Sequence, residues 1–171
     1  MRVSAYIGLG ANLQDPVAQV ENALAELERL AQSRLLARSR LYLSAPVGYD
    51  GQPDFVNAVA ALETGFSPRA LLAALFHIEQ MHGRERHFKN APRTLDLDLL
   101  LYGNARFHEA GLTLPHPRMH GRAFVLRPLA EIAAGLSLPG LGTLDALLDG
   151  VAQQAATPLD YPCPVAVGAR P

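Results

Sequence analysis

The stretch Thr94-Leu95-Asp96-Leu97-Asp98-Leu99-Leu100-Leu101 leaves few options for what surrounds it. Leucine at every second position is the two-residue period of a β-strand, not the 3.6-residue period of a helix. In an extended chain Leu95, Leu97, Leu99 and Leu101 share one face, and Asp96 and Asp98 share the other. The leucine face belongs in a core, and the opposite face stays open. Aspartate is a poor strand former, so two of them in a leucine-rich strand ask for a reason. Their Cα atoms should be roughly 6–7 Å apart, at about 3.3 Å of rise per residue. The two carboxylates can then converge on divalent cations, and paired ions in catalytic sites lie ~4 Å apart. Without a cation the like charges would repel, and one group would tend to stay protonated. An ordinary half-exposed strand with its aspartates in water fits the same alternation, so the metal reading depends on the neighbours.

The rest of the chain supplies a sheet for this strand. Val3 to Leu9 is short, apolar and bounded by glycine, which predicts a buried strand. Asp15-Pro16 and Ser67-Pro68 each pair an N-cap residue with proline at the first helical position. Behind them Val17, Val20, Leu24, Leu27 and Leu30, and then Leu71, Leu72, Leu75, Ile78 and Met81, recur at helical spacing, with Gly83 as a stop. Leu35 to Leu43, Phe55 to Leu62 and Thr94 to Tyr102 complete the strands. The order β-α-β-β-α-β predicts an α+β fold, a ferredoxin-like βαββαβ sandwich with an antiparallel sheet and two helices on one face. Extra C-terminal helices are expected at Arg122 to Ala134 and Thr143 to Gln154. The 171 residues suit one domain over 1–155, followed by an irregular Pro-rich tail over 156–171.

Charge narrows the partners. The formal net charge is −1, which gives no electrostatic reason to bind nucleic acid or an anionic membrane. No long apolar run or signal-peptide pattern is present, so the expected location is cytoplasmic. Lys89 is the only lysine, so side-chain cations that meet a phosphate must be mostly guanidinium forks. Cys163, the one cysteine, excludes an internal disulfide and a cysteine-built metal site.

Three groupings carry chemistry. Arg84, Arg86 and Arg93 precede or open the aspartate strand, and His116, Arg118 and Arg122 follow it. Each arginine taken singly reads as a solvated surface residue; clustered around a carboxylate pair they could balance a polyphosphate. Phe55 and Asn57 share a strand face and offer an aromatic surface beside an amide, suited to a flat, nitrogen-rich heterocycle, though a core phenylalanine and an edge asparagine fit as well. His116 sits between Pro115 and Pro117 on a stiff loop, placed to donate to a phosphate oxygen. Gly8-Leu9-Gly10-Ala11-Asn12-Leu13 fails as a dinucleotide fingerprint because Leu13 stands where the third glycine belongs. Gly8 and Gly10 are read instead as easing a tight strand-to-helix turn. No P-loop exists.

Together these segments resemble the 6-hydroxymethyl-7,8-dihydropterin pyrophosphokinase family. The matching runs are Ala5 to Leu13, Gln52 to Ala58, Gly83 to Arg86, Ala91 to Asp98 and Leu114 to Arg118, within a likeness from Val3 to about Ile132. The resemblance implies a ferredoxin-like fold and transfer of the β,γ-pyrophosphoryl group of ATP to the pterin hydroxymethyl, releasing AMP. It implies that Asp96 and Asp98 hold two Mg²⁺ ions and that Arg84 and Arg93 stabilise the transferring group. Glu79, Arg86, Leu99, Thr113, His116 and Arg122 would join Arg84 and Arg93 at the ATP site. Ser44, Val47, Phe55, Asn57 and Phe124 would enclose the pterin. The loops at 11–15, 44–54 and 84–92 resemble mobile loops that close over substrates. Such an enzyme is expected to act on small molecules, without nucleic acid or membrane, as a monomer.

Two departures stand out. Relatives often carry a tryptophan just before the Pro-Arg run, where this chain has none and reads His87-Phe88-Lys89-Asn90; Phe76 replaces a polar ATP contact of some relatives. Competing readings are another two-metal nucleotidyl-transfer enzyme, which would want a basic groove, and a non-catalytic ferredoxin-like module. An RNA-binding module would want an RNP1-type strand, which is absent.

Overall fold

The computed structural model describes residues 1–48, 51–83 and 94–160. Its order is β1 (Val3–Ala11), α1 (Pro16–Glu28), β2 (Ser33–Arg38), β3 (Tyr42–Ser44), β4 (Phe55–Thr64), α2 (Pro68–Met81) and β5 (Asp96–Tyr102). There follow β6 (Phe107–Glu109), β7 (Leu112–Leu114), a short 3₁₀ turn (Met119–Gly121), α3 (Ala123–Ile132), β8 (Ser137–Leu138), β9 (Gly142–Thr143), α4 (Leu144–Gly150) and β10 (Thr157–Pro158). The central sheet runs β10-β3-β4-β1-β5, with β2 also on β4, and every pairing is antiparallel. This is the ferredoxin-like α+β arrangement with C-terminal additions.

Both cap-plus-proline signals open helices. Asp15 Oδ1 accepts from Ala18 N–H at 3.2 Å, and Ser67 Oγ accepts from Ala70 N–H at 3.3 Å. Val20, Leu24 and Leu27 of α1, and Leu71, Leu75 and Ile78 of α2, bury against Ala5, Ile7, Leu9, Leu97 and Leu99 of the sheet. Met81, expected on this face, is 56 % exposed at the last helical turn. The other sheet face carries a second core, in which Val59, Leu100 and Leu101 meet Leu126 and Leu129 of α3 and Leu144 of α4. Helices therefore cover parts of both faces.

Two irregularities depart from simple alternation. The expected strand Leu35 to Leu43 is two strands along the same edge of β4. Between them Ser39, 1 % exposed, keeps the ladder going with its side chain: Val59 N–H donates to Ser39 Oγ at 2.9 Å, and Ser39 N–H donates to Val59 O at 2.9 Å. In β5, Ile7 faces Leu99 but Tyr6 faces Leu101, so Leu100 is an extra residue. That bulge turns Leu101 onto the same face as Asp96, Asp98 and Leu100, not onto the face of Leu95, Leu97 and Leu99.

The C-terminal helices are shorter than expected, ending at Ile132 and Gly150. The chain does not leave the fold at 155: Thr157 pairs with Leu43 and Pro158 with Tyr42, which adds an edge strand. Cys163 lies outside the described residues. No helix among the described residues is long and apolar enough to cross a membrane.

Candidate active site

The second sheet face is only partly covered, and what remains open is a cleft of about 710 Å³, solvent at its mouth included. Strand register sets its floor. Gly10 lies between Asn57 of β4 and Asp96 of β5, and Gly8 lies between Val59 and Asp98. Phe55 and Asn57, Gly8 and Gly10, and Asp96 and Asp98 all line this face. Glycine leaves the middle strand bare, so a ligand can lie on backbone with Asn57 on one side and the carboxylates on the other. Both glycines are inside β1, not at a strand-to-helix turn; their use here is space, since a Cβ on Gly10 would stand 3.3 Å from Asn57 Oδ1.

One wall has a polar, buried base. Asn57, 4 % exposed, donates from Nδ2 to Ser44 Oγ at 2.8 Å across the β3–β4 pair. That bond orients the amide: Oδ1 is an acceptor above Gly10, and the Ser44 hydroxyl still has its own hydrogen to give. Phe55, Val47, Ala45 and Gln52 continue this wall, and Phe124 faces it from α3. Asn12, 2 % exposed, ties the loop to β1 by donating to Gln52 Oε1 (2.8 Å) and Pro53 O (3.0 Å).

The opposite side is charged. Asp96 and Asp98 line the cleft beside Arg122, whose guanidinium carbon lies 5.5 Å from the centroid of the Phe124 ring. The β6–β7 hairpin brings His116 alongside, and His116 N–H donates to Leu100 O at 2.9 Å. Burial, followed by the positive charges of Arg122 and Arg118, pushes His116 down to about 4 against the pull of Asp96. It is therefore neutral at pH 7, and its 3.8 Å approach to Asp98 Oδ1 is a polar contact, not an ion pair. Arg118 N–H donates to His116 Nδ1 at 3.2 Å, which leaves the proton on Nε2, the nitrogen facing Asp98. The ring is a donor aimed at the anionic side.

Ser44, Val47, Phe55, Asn57, Asp96, Asp98, Arg122 and Phe124 are thus brought into one cleft, with His116 at its edge. Thr113, on β7 opposite His108, is not among the cleft's lining residues. Leu99 is 4 % exposed in the core, so a ligand at this edge strand would meet its main chain rather than its side chain. Glu79 is 2 % exposed and accepts from Leu97 N–H at 2.7 Å, which fixes the strand that carries the aspartates. Arg84, Arg86 and Arg93 lie outside the described residues, as does Phe88. Leu100, Ala45, Gln52 and Val125 line the cleft without having been singled out; being ordinary apolar or amide residues, they carry no signal of their own.

The donor set suits magnesium. Among the described residues no three His, Cys, Asp or Glu side chains gather into a complete cage. Two adjacent carboxylates of hard oxygen character match a cation that takes its other ligands from phosphates and water.

Comparison with known proteins agrees with the geometry. The model of the family described as 7,8-dihydro-6-hydroxymethylpterin-pyrophosphokinase (HPPK) matches residues 6–134. The 2-amino-4-hydroxy-6-hydroxymethyldihydropteridine pyrophosphokinase of Haemophilus influenzae is 49 % identical over 137 residues, which are 80 % of this chain and 86 % of that protein. Its Pseudomonas aeruginosa counterpart is 50 % identical over 134 residues, 78 % and 83 % of the two chains. Among solved structures, an HPPK-DHPS in complex with substrates superposes with a TM-score of 0.69 at 13 % identity, covering 89 % of this chain and 44 % of that one. A triple mutant of Plasmodium falciparum HPPK-DHPS gives 0.70 at 14 %, covering 87 % and 44 %. This chain spans less than half of those longer proteins, and at such identity the likeness concerns the fold alone. The match through residues 6–134 and the near-half identity to two full-length relatives show that the chain belongs to the HPPK family.

Proposed function

We propose that this protein transfers the β,γ-pyrophosphoryl group of ATP to the hydroxymethyl of 6-hydroxymethyl-7,8-dihydropterin, a step of folate biosynthesis. The observation that carries the proposal is the two-sided cleft: a buried donor–acceptor pair, Asn57 and Ser44, faces a carboxylate pair across a glycine floor, in a member of this family. The pterin lies on the Gly10 side. Its amino-oxo edge has both donors and acceptors to match Asn57 Oδ1 and the Ser44 hydroxyl, with Phe55, Val47 and Phe124 around its rings. The triphosphate lies on the β5 side, met by Arg122 and by the Nε2–H of neutral His116. Thr113, the Leu99 main chain and Arg86 complete the ATP side, and Glu79 serves it by holding β5 in place.

The hydroxymethyl oxygen attacks the β-phosphorus, and the bond from that phosphorus to the α,β-bridging oxygen breaks. The hydroxyl proton passes to solvent, and the bridging oxygen departs with AMP. Asp96 and Asp98 would hold two Mg²⁺ ions, which when bound neutralise phosphate charge and orient the reacting groups. Arg84 and Arg93 stabilise charge on the transferring group. The protein acts on these small molecules in the cytoplasm as a monomer.

The test is to mix the purified protein with ATP, Mg²⁺ and the hydroxymethyl-dihydropterin and to identify the nucleotide product. AMP formed only when the pterin is present is the expected result. ADP, or no product, would overturn the assignment.

A further inference from the structure

Residues 151–159 lie beyond the stretch that the family model matches, yet they pack against α3, whose first turn lines the cleft. Helix α3 begins at Ala123, and its N-cap residue, Arg122, makes no capping hydrogen bond with its own side chain. The first N–H groups of a helix need partners from elsewhere. Gln154 provides one. Its Oε1 accepts from Ala123 N–H at 3.0 Å, and its Nε2 donates to Gly121 O at 2.8 Å. Those two backbone groups belong to the residues on either side of Arg122, so one amide clamps both. Only one orientation of that amide satisfies a carbonyl and an N–H together.

The segment carrying Gln154 is itself held down. Arg127 of α3 donates to Ala156 O at 2.8 Å, Leu159 N–H donates to Leu41 O at 2.8 Å, and β10 is paired to β3. On the cleft side, Arg122 and Phe124 both line the site and stack on each other. A backbone shift at 122 is therefore felt at both.

We propose that Gln154 is a positioning residue for the reaction, a clamp from the C-terminal segment that sets Arg122 and Phe124 against the two substrates. The roles of Arg122 and Phe124 rest on the function proposed above. Gln154 is exposed and absent from the cleft lining, so it touches no substrate itself. Its exposure also means that replacing it removes no core contact. Small displacements of orienting groups are costly in catalysis, which is why a surface amide can matter here.

Gln154→Met keeps the stem and removes both hydrogen bonds. The KM for ATP and the KM for the pterin should each rise about three- to ten-fold, the worth of about one ordinary hydrogen bond, while the melting temperature falls by about 2–8 °C, because the same two bonds also hold the fold. Gln154→Glu keeps the acceptor for Ala123 N–H and should recover part of the loss. Gln153→Ala, an exposed neighbour, should behave as the parent protein. Unchanged KM values in Gln154→Met, or a fall in melting temperature with KM intact, would overturn the clamp. Titrating Mg²⁺ and a non-hydrolysable ATP analogue separates the two proposals. If the parent protein releases no AMP, the reaction assignment fails, and the clamp stands or falls on whether Gln154→Met weakens analogue binding.

Discussion

Adding one carbon to the cleft floor distinguishes a ligand platform from a merely permissive strand. Gly10 and Gly8 are both in β1, both face the cleft, and neither has a positive φ, so alanine fits the backbone at each. What differs is the neighbour. At Gly8 the new Cβ would meet only apolar atoms of the Leu100 side chain, at 3.4 Å, the near edge of ordinary contact. At Gly10 it would meet Asn57 Oδ1 at 3.3 Å, and that amide cannot swing freely because Nδ2 is bonded to Ser44 Oγ at 2.8 Å. The amide must shift by a few tenths of an ångström, which weakens its bond to Ser44 and misplaces the acceptor proposed for the pterin. Losing most of one or two hydrogen bonds costs about 1–2 kcal/mol, or roughly a 5- to 30-fold rise in the pterin KM. Alanine also restricts the unfolded chain, which adds about 0.4–1 kcal/mol of stability where the conformation is compatible; Gly8→Ala should show that gain, and in Gly10→Ala the weakened Ser44 bond should offset it. Steady-state kinetics with each substrate varied, together with thermal melts of Gly8→Ala and Gly10→Ala, decide the matter. Equal pterin KM values for the two variants would refute the reasoning, as would a Gly10→Ala variant that loses activity only because it unfolds.

Three further outcomes follow from the same geometry. Asp96→Asn and Asp98→Asn should each lose on the order of 10²-fold or more in turnover, because metal-borne charge stabilisation is worth several kcal/mol; near-normal rates in both, with circular dichroism unchanged, would remove the metal assignment. Asn57→Ala should weaken pterin binding and leave ATP binding nearly intact by calorimetry, whereas an equal loss for both ligands would make it a structural residue. Glu131 should give acid sensitivity: burial pushes its carboxyl up, but hydrogen bonds from Tyr42 and Arg40 outweigh this and hold it below 4.5. A lowered folded-state value means stability that is present above 4.5 and lost as pH falls through the folded value. Melts from pH 7 to pH 3 should therefore show Glu131→Gln less stable than the parent at neutral pH, with the gap closing below pH 4.5, and a gap independent of pH would contradict the assignment.

Much of this was legible because local chemistry and tertiary structure agree. The caps at Asp15 and Ser67 and the alternation from Leu95 to Leu99 needed only neighbours within a few residues, and each element formed where expected. The misreadings share a cause, which is that the deciding partner is distant in sequence. Ser39 replaces a backbone rung only because Val59 is opposite, and Leu101 changes face only because Tyr6 and Ile7 impose a bulge. Gly8 and Gly10 look like turn residues until β4 and β5 flank them with Asn57 and the aspartates. Gln154 carries no signal at all, since an exposed glutamine 31 residues from Ala123 in sequence has no pattern to betray it.

These distant partners also explain how a helix over an open sheet face can hold a site still. Helix α3 crosses the uncovered face, so its N-terminal side chains form the roof over a floor built by β1, β4 and β5. Apolar packing by Leu126 and Leu129 fixes its height above the sheet but resists sliding along its axis weakly, because dispersion contacts are individually small and non-directional. Directional bonds resist that sliding instead, at both ends and, through Arg127 to Ala156 O, midway along the helix. Glu131, in the last turn, accepts from Tyr42 on β3 and from Arg40 just before it, and Gln154 clamps the first turn. Both anchors lead back to the β3 edge, since β10 and Leu159 bind the Gln154 segment to residues 41–43. Ser44, whose hydroxyl holds the Asn57 amide, is the next residue of that strand. The Ser44–Asn57 wall and the α3 roof that carries Arg122 and Phe124 are therefore registered against the same strand.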